Sequence, residues 1–180
     1  FGAISDKGQI FQLIHAMKKG TDTIAIIAPS FVGQFGAHIT PERLTAAIQL
    51  LGFSQVIEVA VGADLCAIEE AQDFIKKVPG QQPYMGTSCC PSWSIMAKQQ
   101  FPALASCISM ALTPMVLTGR MAKKDNPNSK IVFIGPCAAK KLEASRHSVR
   151  SDVDFVLTFE ELMGMFEAKG IDLEQVAGDD

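Results

Sequence analysis

The sequence lacks the features that mark membrane-spanning and nucleic-acid-binding proteins. It contains no run of about 18 apolar residues, so no segment is long enough to cross a bilayer as a helix. Its net charge of -3 comes from scattered rather than clustered basic and acidic residues, which argues against a nucleic-acid partner. The first residues include no methionine, no basic segment and no apolar core, so we expect neither a signal peptide nor a natural N-terminus but a piece of a longer protein.

Repeats and low-complexity segments are also absent, and the number of cysteines does not suggest a disulfide framework. With 180 residues, 48% of them hydrophobic, the chain can bury one core without cross-links. An odd number of cysteines in such a chain favours a reducing compartment, so we predict a cytoplasmic protein without disulfides. The five thiols are then candidate ligands or acids: Cys66, Cys89, Cys90, Cys107 and Cys137.

What the sequence does contain is an alternation of strand and helix patterns. Strands are predicted at residues 23–28, 55–61, 130–134 and 154–157, with an extended piece at 83–86. Helix starts are predicted at Asp6, Thr40, Asp64, Thr113 and Thr158, where a capping residue precedes an apolar stripe, and near Trp93. Several strands are almost entirely apolar, which indicates a mainly parallel sheet covered on both faces. We predict one doubly wound α/β domain over residues 1–180, with the sheet flanked by helices.

Three unusual segments follow three predicted strands, if the extended piece at 83–86 is counted as one of them. Because the carboxyl ends of parallel strands lie at one edge of a sheet, where ligands bind in a crevice, we expect these segments to converge. Together they would bring three thiols, a lysine and a serine into one pocket, which suits a soft metal or an iron-sulfur cluster. The segments are residues 28–30 (APS), 87–93 (TSCCPSW) and 135–140 (GPCAAK).

Each of these residues also has a simpler interpretation. A cysteine at a strand end is usually a small buried hydrophobe, and that interpretation is favoured for Cys66 and Cys107. Lys140 and Lys141 together could be a solvated pair. The adjacent Cys89 and Cys90 face opposite ways if the segment is extended, so one would bind a metal while the other has a different role.

Two of the segments resemble signatures of the iron-only (FeFe) hydrogenases. Residues 87–93 (TSCCPSW) are similar to the first signature, and residues 135–143 (GPCAAKKLE) to the second, usually written PCxxKxxE. The resemblance extends to residues 28–30, 62–70 and 152–158, and so covers nearly the whole chain. Residues 1–4 look like the end of a ferredoxin-type cluster motif, which implies a ferredoxin-like domain upstream.

The resemblance implies an active centre made of a 4Fe-4S cluster joined to a diiron unit. Cys90 and Cys137 would bind the 4Fe-4S cluster, and Cys89 would pass protons to the diiron unit. Lys140 would donate a hydrogen bond to one cyanide ligand of the diiron unit, and residues 29–30 (Pro29 and Ser30) would lie against the other.

The proton path implied by the resemblance runs through Glu70, Asp73 and Ser109. Glu70 and Asp73 are three residues apart on a predicted helix and so share a face, and a proton relay needs short hydrogen-bonded steps. An exposed acidic helix face is the alternative interpretation of this pair.

Two departures from the family pattern affect these expectations. Gly135 stands where the best-known relatives have methionine, which would leave more room beside the diiron unit or a different hydrogen bond there, and a different catalytic bias. The third signature, with the last two cysteine ligands, is absent from this sequence. We therefore expect the chain alone to be apo and inactive, and to need the second lobe of the same protein.

Four functions remain open. The first is reversible reduction of protons to hydrogen, with electrons from a ferredoxin-like donor or auxiliary clusters. The second is a hydrogen or redox sensor, and the third an iron-sulfur assembly protein of the same fold without the diiron unit. Such assembly relatives tend to lose the proton-donating thiol, so Cys89 argues against the third. The fourth, a thiol enzyme, has no obvious partner among His15, His38 and His147.

Overall fold

Four parallel strands form the centre of the protein. The computed structural model describes residues 7–146, 149 and 151–178. The strands are β1 (Thr23–Ile27), β2 (Gln55–Glu58), β3 (Lys130–Gly135) and β4 (Phe155–Thr158), and their order in the sheet is β2-β1-β3-β4. The helices are α1 (Ile10–Lys18), α2 (Pro41–Leu50), α3 (Ala60–Lys77), α4 (Pro91–Gln100), α5 (Pro114–Asp125), α6 (Ala139–Ala144) and α7 (Phe159–Lys169), with 3-10 turns at Pro29–Phe31 and Pro102–Cys107.

The sheet confirms the predicted α/β fold. β1 pairs in parallel with β2 on one side and with β3 on the other, and β4 extends the sheet beyond β3. Every residue of β1 is buried, as are residues 131–135 of β3. Burial of successive residues, whose side chains point to opposite faces, means that helices cover both faces of the sheet.

The strand order creates a switch point between β1 and β3. The connection from β1 to β2 runs to one side of β1, whereas β3 and β4 lie on its other side. In such sheets the crevice at the carboxyl ends of the two central strands is the usual ligand site. The turn Pro29–Phe31 directly follows β1, and residues 136–138 directly follow β3, so two of the three predicted segments flank this crevice.

Three of the predicted helix caps are confirmed. The Thr40 hydroxyl accepts a hydrogen bond from Arg43 N at 3.3 Å, and the Thr113 hydroxyl accepts one from Val116 N at 3.4 Å. Thr158 forms a capping box that ends β4 and starts α7. Asp6, the predicted cap of α1, lies outside the described residues.

The predicted strand at residues 55–61 is too long, and the predicted start of the next helix at Asp64 is wrong. β2 ends at Glu58, and α3 already begins at Ala60. The reason is a close contact between α3 and α5: a Cβ atom at Gly62 would lie only 2.9 Å from Pro114 O. Gly62 lies in α3 at the point where this helix contacts α5. We infer that packing of α3 against α5 overrides the strand preference of residues 59–61.

Residues 83–86 do not join the sheet. Gly86 forms a single parallel bridge with Ile108, with hydrogen bonds of 2.8 Å from Gly86 N to Cys107 O and from Ser109 N to Gly86 O. The helix predicted near Trp93 is α4, which begins at Pro91 because proline is suited to the first helical position. Segment 78–113 is therefore a region beside the sheet rather than part of it.

Candidate functional site

Lys140 joins the two motifs. Its Nζ donates to the backbone oxygen of Cys89 at 2.8 Å and to Glu143 Oε2 at 2.7 Å. The Lys140 side chain is 14% exposed and that of Glu143 only 4%. Lys141 is buried as well, with its Nζ 2.9 Å from Glu161 Oε1. The interpretation of the two lysines as a solvated pair is therefore wrong.

Glu143 is a central residue of this site to which the sequence analysis assigned no role. One carboxylate oxygen accepts from Lys140, and the other accepts from the Thr113 hydroxyl at 2.6 Å. The carboxylate thus connects the start of α5, helix α6 and, through Lys140, the double cysteine. Its position as the last residue of the second motif was the available signal.

The five thiols fall into two groups. Cys89, Cys90 and Cys137 are exposed, whereas Cys66 and Cys107 are buried. Burial of Cys66 and Cys107 agrees with their interpretation as core residues.

Cys90 and Cys137 occupy comparable positions. Cys90 immediately precedes α4, and Cys137 lies between β3 and α6. The helices α4 and α6 pack against each other. Two exposed thiols on neighbouring loops, with an ammonium group between the motifs, fit part of the ligand set of an iron-sulfur cluster. Within the described residues, no group of three or more cysteine, histidine or acidic side chains could hold a metal ion. Among these residues, therefore, only part of a cluster's ligand set is present.

Cys66 lies closer to the proposed chemistry than the sequence suggested. Its Sγ donates to Leu112 O at 3.0 Å. Burial, followed by the nearby charges of Glu69, Glu70 and Cys89, raises the pKa of the Cys66 thiol. Leu112 directly precedes Thr113, whose hydroxyl contacts Glu143, so the Cys66 thiol lies next to the segment that leads from the double cysteine to α5.

Two of the three predicted proton-path residues lie on α3, and Ser109 lies in the segment between the 3-10 turn Pro102–Cys107 and α5. Glu70 and Asp73 are half-buried on α3, and Asp73 Oδ2 accepts from Lys77 Nζ at 2.7 Å. Ser109 is buried, and its hydroxyl accepts from Ala111 N at 3.1 Å. In the part of the chain that the structure describes, no hydrogen bond connects these three side chains to one another. Their roles in a relay therefore stay a prediction.

The first segment and Gly135 follow or end the two neighbouring strands β1 and β3. Pro29 and Ser30 are exposed in the turn after β1. Gly135 is buried, and a Cβ atom there would lie 2.6 Å from Cζ of Phe133. The Phe133 ring thus fills the space where a Cβ atom of residue 135 would lie. The expected effect of Gly135 on the surroundings of the diiron unit stays a prediction.

The described helices were compared with the length and hydropathy of membrane-spanning helices. None of them is both long enough and apolar enough to span a bilayer.

Comparisons with known proteins point to one family. The profile of the family described as "Iron only hydrogenase large subunit, C-terminal domain" matches residues 21–180. Iron hydrogenase 1 of Clostridium pasteurianum is 30% identical over 187 residues, which cover 92% of this chain and 32% of that protein. The periplasmic [Fe] hydrogenase large subunit of Nitratidesulfovibrio vulgaris is 31% identical over 153 residues, covering 77% of this chain and 36% of that protein.

A second group of relatives carries a different name. The cytosolic Fe-S cluster assembly factor NAR1 of Meyerozyma guilliermondii is 32% identical over 134 residues, covering 67% of this chain and 25% of that protein. The chain spans about a third of the length of the two hydrogenases, and less of the assembly factor.

Proposed function

We propose, since this chain belongs to the iron-only hydrogenase large-subunit family, that the protein containing it catalyses reversible reduction of protons to hydrogen. The observation that carries the proposal is the hydrogen bond of 2.8 Å from Lys140 Nζ to Cys89 O. It brings the lysine of the second motif to the double cysteine of the first, although the two residues are 51 positions apart. The family implies iron-sulfur chemistry, and the two exposed thiols Cys90 and Cys137 support it.

The proposed ligands are Cys90 and Cys137, which would bind a 4Fe-4S cluster attached to a diiron unit. When bound, this centre supplies the redox chemistry, while the protein supplies orientation, acids and electrostatics. Thiolate ligands and the cluster bring negative charge, and the Lys140 ammonium is positioned to offset it. Two thiols do not complete a cluster with four cysteine ligands, so we propose that the remaining ligands come from a second lobe outside this sequence, and that this chain alone is apo and inactive.

Cys89 is the proposed proton donor. Its thiol is exposed, while its backbone oxygen is held by Lys140, so the residue is fixed at the main chain and free at the side chain. Glu70 and the buried Cys66 lie on α3, and the Cys66 thiol donates to Leu112 O in the segment that follows Ser109. The family resemblance supports a proton path from Cys89 through Glu70, Asp73 and Ser109.

We also propose a source of electrons and a cellular location. Electrons would come from a ferredoxin-like donor or from auxiliary iron-sulfur clusters in the same protein. We propose a cytoplasmic location, on the ground that the chain has an odd number of cysteines and is large enough not to need cross-links.

An iron-sulfur assembly protein is the second candidate. It is favoured by the 32% identity to the assembly factor from Meyerozyma guilliermondii. Against it stands Cys89, the thiol that the assembly relatives tend to lose. The same fold and the same cluster thiols would serve either function. A measurement of hydrogen evolution, rather than the architecture, therefore distinguishes the hydrogenase from the assembly protein.

The test is hydrogen evolution from reduced methyl viologen by the full-length protein, matured with its diiron centre. We expect rapid evolution that is lost in Cys137→Ala, because a cluster ligand is removed. Cys107→Ala is the matched control, since this buried thiol plays no part in the proposal and should leave evolution intact. Absence of evolution from the unmodified protein, with a 4Fe-4S signal present, would favour an assembly or sensor function instead.

A second variant separates proton transfer from cluster binding. Cys89→Ala should lower turnover by about 100-fold or more, because a positioned proton donor is lost. The iron content should stay at the level of the unmodified protein, as Cys89 is not a proposed ligand. Turnover that survives this substitution would remove the proton-donor assignment.

A further inference from the structure

The Thr113 hydroxyl makes two contacts at once. It accepts a hydrogen bond from Val116 N at 3.4 Å, which caps α5, and it donates to Glu143 Oε1 at 2.6 Å. A hydroxyl has one donor and two acceptor positions, so the two contacts are compatible. Because the cap fixes the oxygen at the start of α5, the donated hydrogen bond has a fixed origin.

Glu143 depends on this contact. Its side chain is only 4% exposed, and its two oxygens are used by Thr113 and Lys140 respectively. A buried carboxylate needs hydrogen-bond donors to compensate for lost water. Without the Thr113 hydroxyl, Oε1 would lack its donor, and the carboxylate would have to turn towards another donor or towards water.

Lys140 is the last member of this chain of contacts. Its ammonium group is 2.7 Å from Glu143 Oε2 and 2.8 Å from Cys89 O. We infer that Thr113 is a positioning residue for Lys140, since it orients the buried carboxylate that holds the ammonium group beside the double cysteine. The placement of the ammonium group follows from these contacts alone, whereas its consequence for catalysis rests on the proposed function.

The chain offers a matched control for the capping role. Thr40 and Thr113 are both followed by proline at the first helical position, and their capping distances are 3.3 Å and 3.4 Å. The cap is the only hydrogen bond of the Thr40 side chain in the described part of the protein. Thr40→Val therefore removes a cap alone, whereas Thr113→Val removes a cap and the contact with Glu143.

The experiment measures the acetylation rate of Lys140 by acetic anhydride in the full-length protein, with mass spectrometry as readout and the exposed Lys98 as internal reference. Acetylation requires the nitrogen to leave its partners, so its rate reports how firmly the ammonium group is held. We expect about tenfold faster acetylation in Thr113→Val, the effect of losing one hydrogen bond to a charged group. Thr113→Ser and Thr40→Val should stay within about twofold of the unmodified protein, because both keep the contact with Glu143.

A second variant covers the case in which Thr113→Val does not fold. Glu143→Asp keeps the cap of α5 but shortens the side chain, so its carboxylate cannot reach both Thr113 and Lys140. It should also release Lys140. An unchanged Lys140 rate in folded Thr113→Val or in Glu143→Asp would overturn the inference and leave Thr113 as a helix cap. If the unmodified protein evolves no hydrogen but shows the expected rates, the proposed function fails while the positioning role stands.

Discussion

Two regions of the protein are held together in different ways. One is the sheet with its covering helices, and the other is segment 78–113. The sheet region buries large apolar side chains completely, among them Leu13, Leu162 and Phe166. In segment 78–113 the large apolar side chains are mostly exposed: Tyr84, Trp93, Met96, Phe101, Leu104 and Met110. This segment nevertheless carries the double cysteine. The proposed chemistry therefore lies on a region that is weakly buried and whose position depends on a few polar contacts, such as that between Lys140 and Cys89.

The largest expected effect comes from truncating one apolar side chain in each region. Leu162→Ala should lower the free energy of unfolding by about 3 kcal/mol, because its side chain is fully buried and leaves a cavity. Leu104→Ala, at a side chain that is 42% exposed, should cost less than about 1 kcal/mol. Urea denaturation monitored by circular dichroism measures both, and equal losses would show that the two regions are equally well packed.

The second prediction compares two helical glycines. Gly62→Ala should destabilise the protein by about 2 kcal/mol although alanine favours helices, since the added methyl group would meet Thr118 Oγ1 and Pro114 O. Gly164→Ala in α7 has no atom within 4 Å of the new methyl group and should stabilise the protein by about 0.5 to 1 kcal/mol. Thermal denaturation distinguishes the two signs, and stabilisation in both would mean that α3 can move away from α5.

The smallest expected effect concerns the end of the sheet remote from the crevice. The hydrogen bond from Ser129 to Asp22, with a smaller effect of Ser54, lowers the pKa of the Asp22 carboxyl below its usual value of 3.8. A lowered pKa means that the charged form contributes stability above pH 3.8, and that this contribution is lost as the pH falls further.

Asp22→Asn should therefore cost less than about 0.5 kcal/mol at neutral pH, because the group is exposed. The difference from the unmodified protein should shrink as the pH falls below 3.8. Urea denaturation at a series of pH values measures it, and a difference that grows towards low pH would contradict the direction of the shift.

Local signals allowed much of the fold to be predicted. Thr40, Thr113 and Thr158 cap helices through contacts with residues three positions away, so the sequence alone identifies them. The apolar run 55–61 has no clear period, and its division between β2 and α3 depends on packing of Gly62 against α5. The contact between Gly62 and α5 joins parts of the chain that are far apart in sequence, so the residues around Gly62 show no pattern that would predict it.

The same distinction applies to the candidate site. Residues 87–93 and 135–143 stand out as motifs, so the sequence alone makes Cys89, Cys90, Cys137 and Lys140 candidates. The bond between Thr113 and Glu143 joins residues 30 positions apart, and that between Cys66 and Leu112 joins residues 46 positions apart. A cap residue and a buried thiol look ordinary in sequence, so only the folded arrangement assigns them a place beside the site.

The pairing of β1 with β3 also sets an order of events during synthesis. Asp22 and Ser129, which meet where the two strands begin, are 107 positions apart. At roughly 5 to 20 residues per second, a ribosome needs roughly 5 to 20 seconds to make the intervening chain. During that interval β1 has no β3 to pair with, and the crevice has only one wall. The two proposed cluster ligands are separated in the same way, because Cys137 is synthesised only after β3 is complete, long after Cys90.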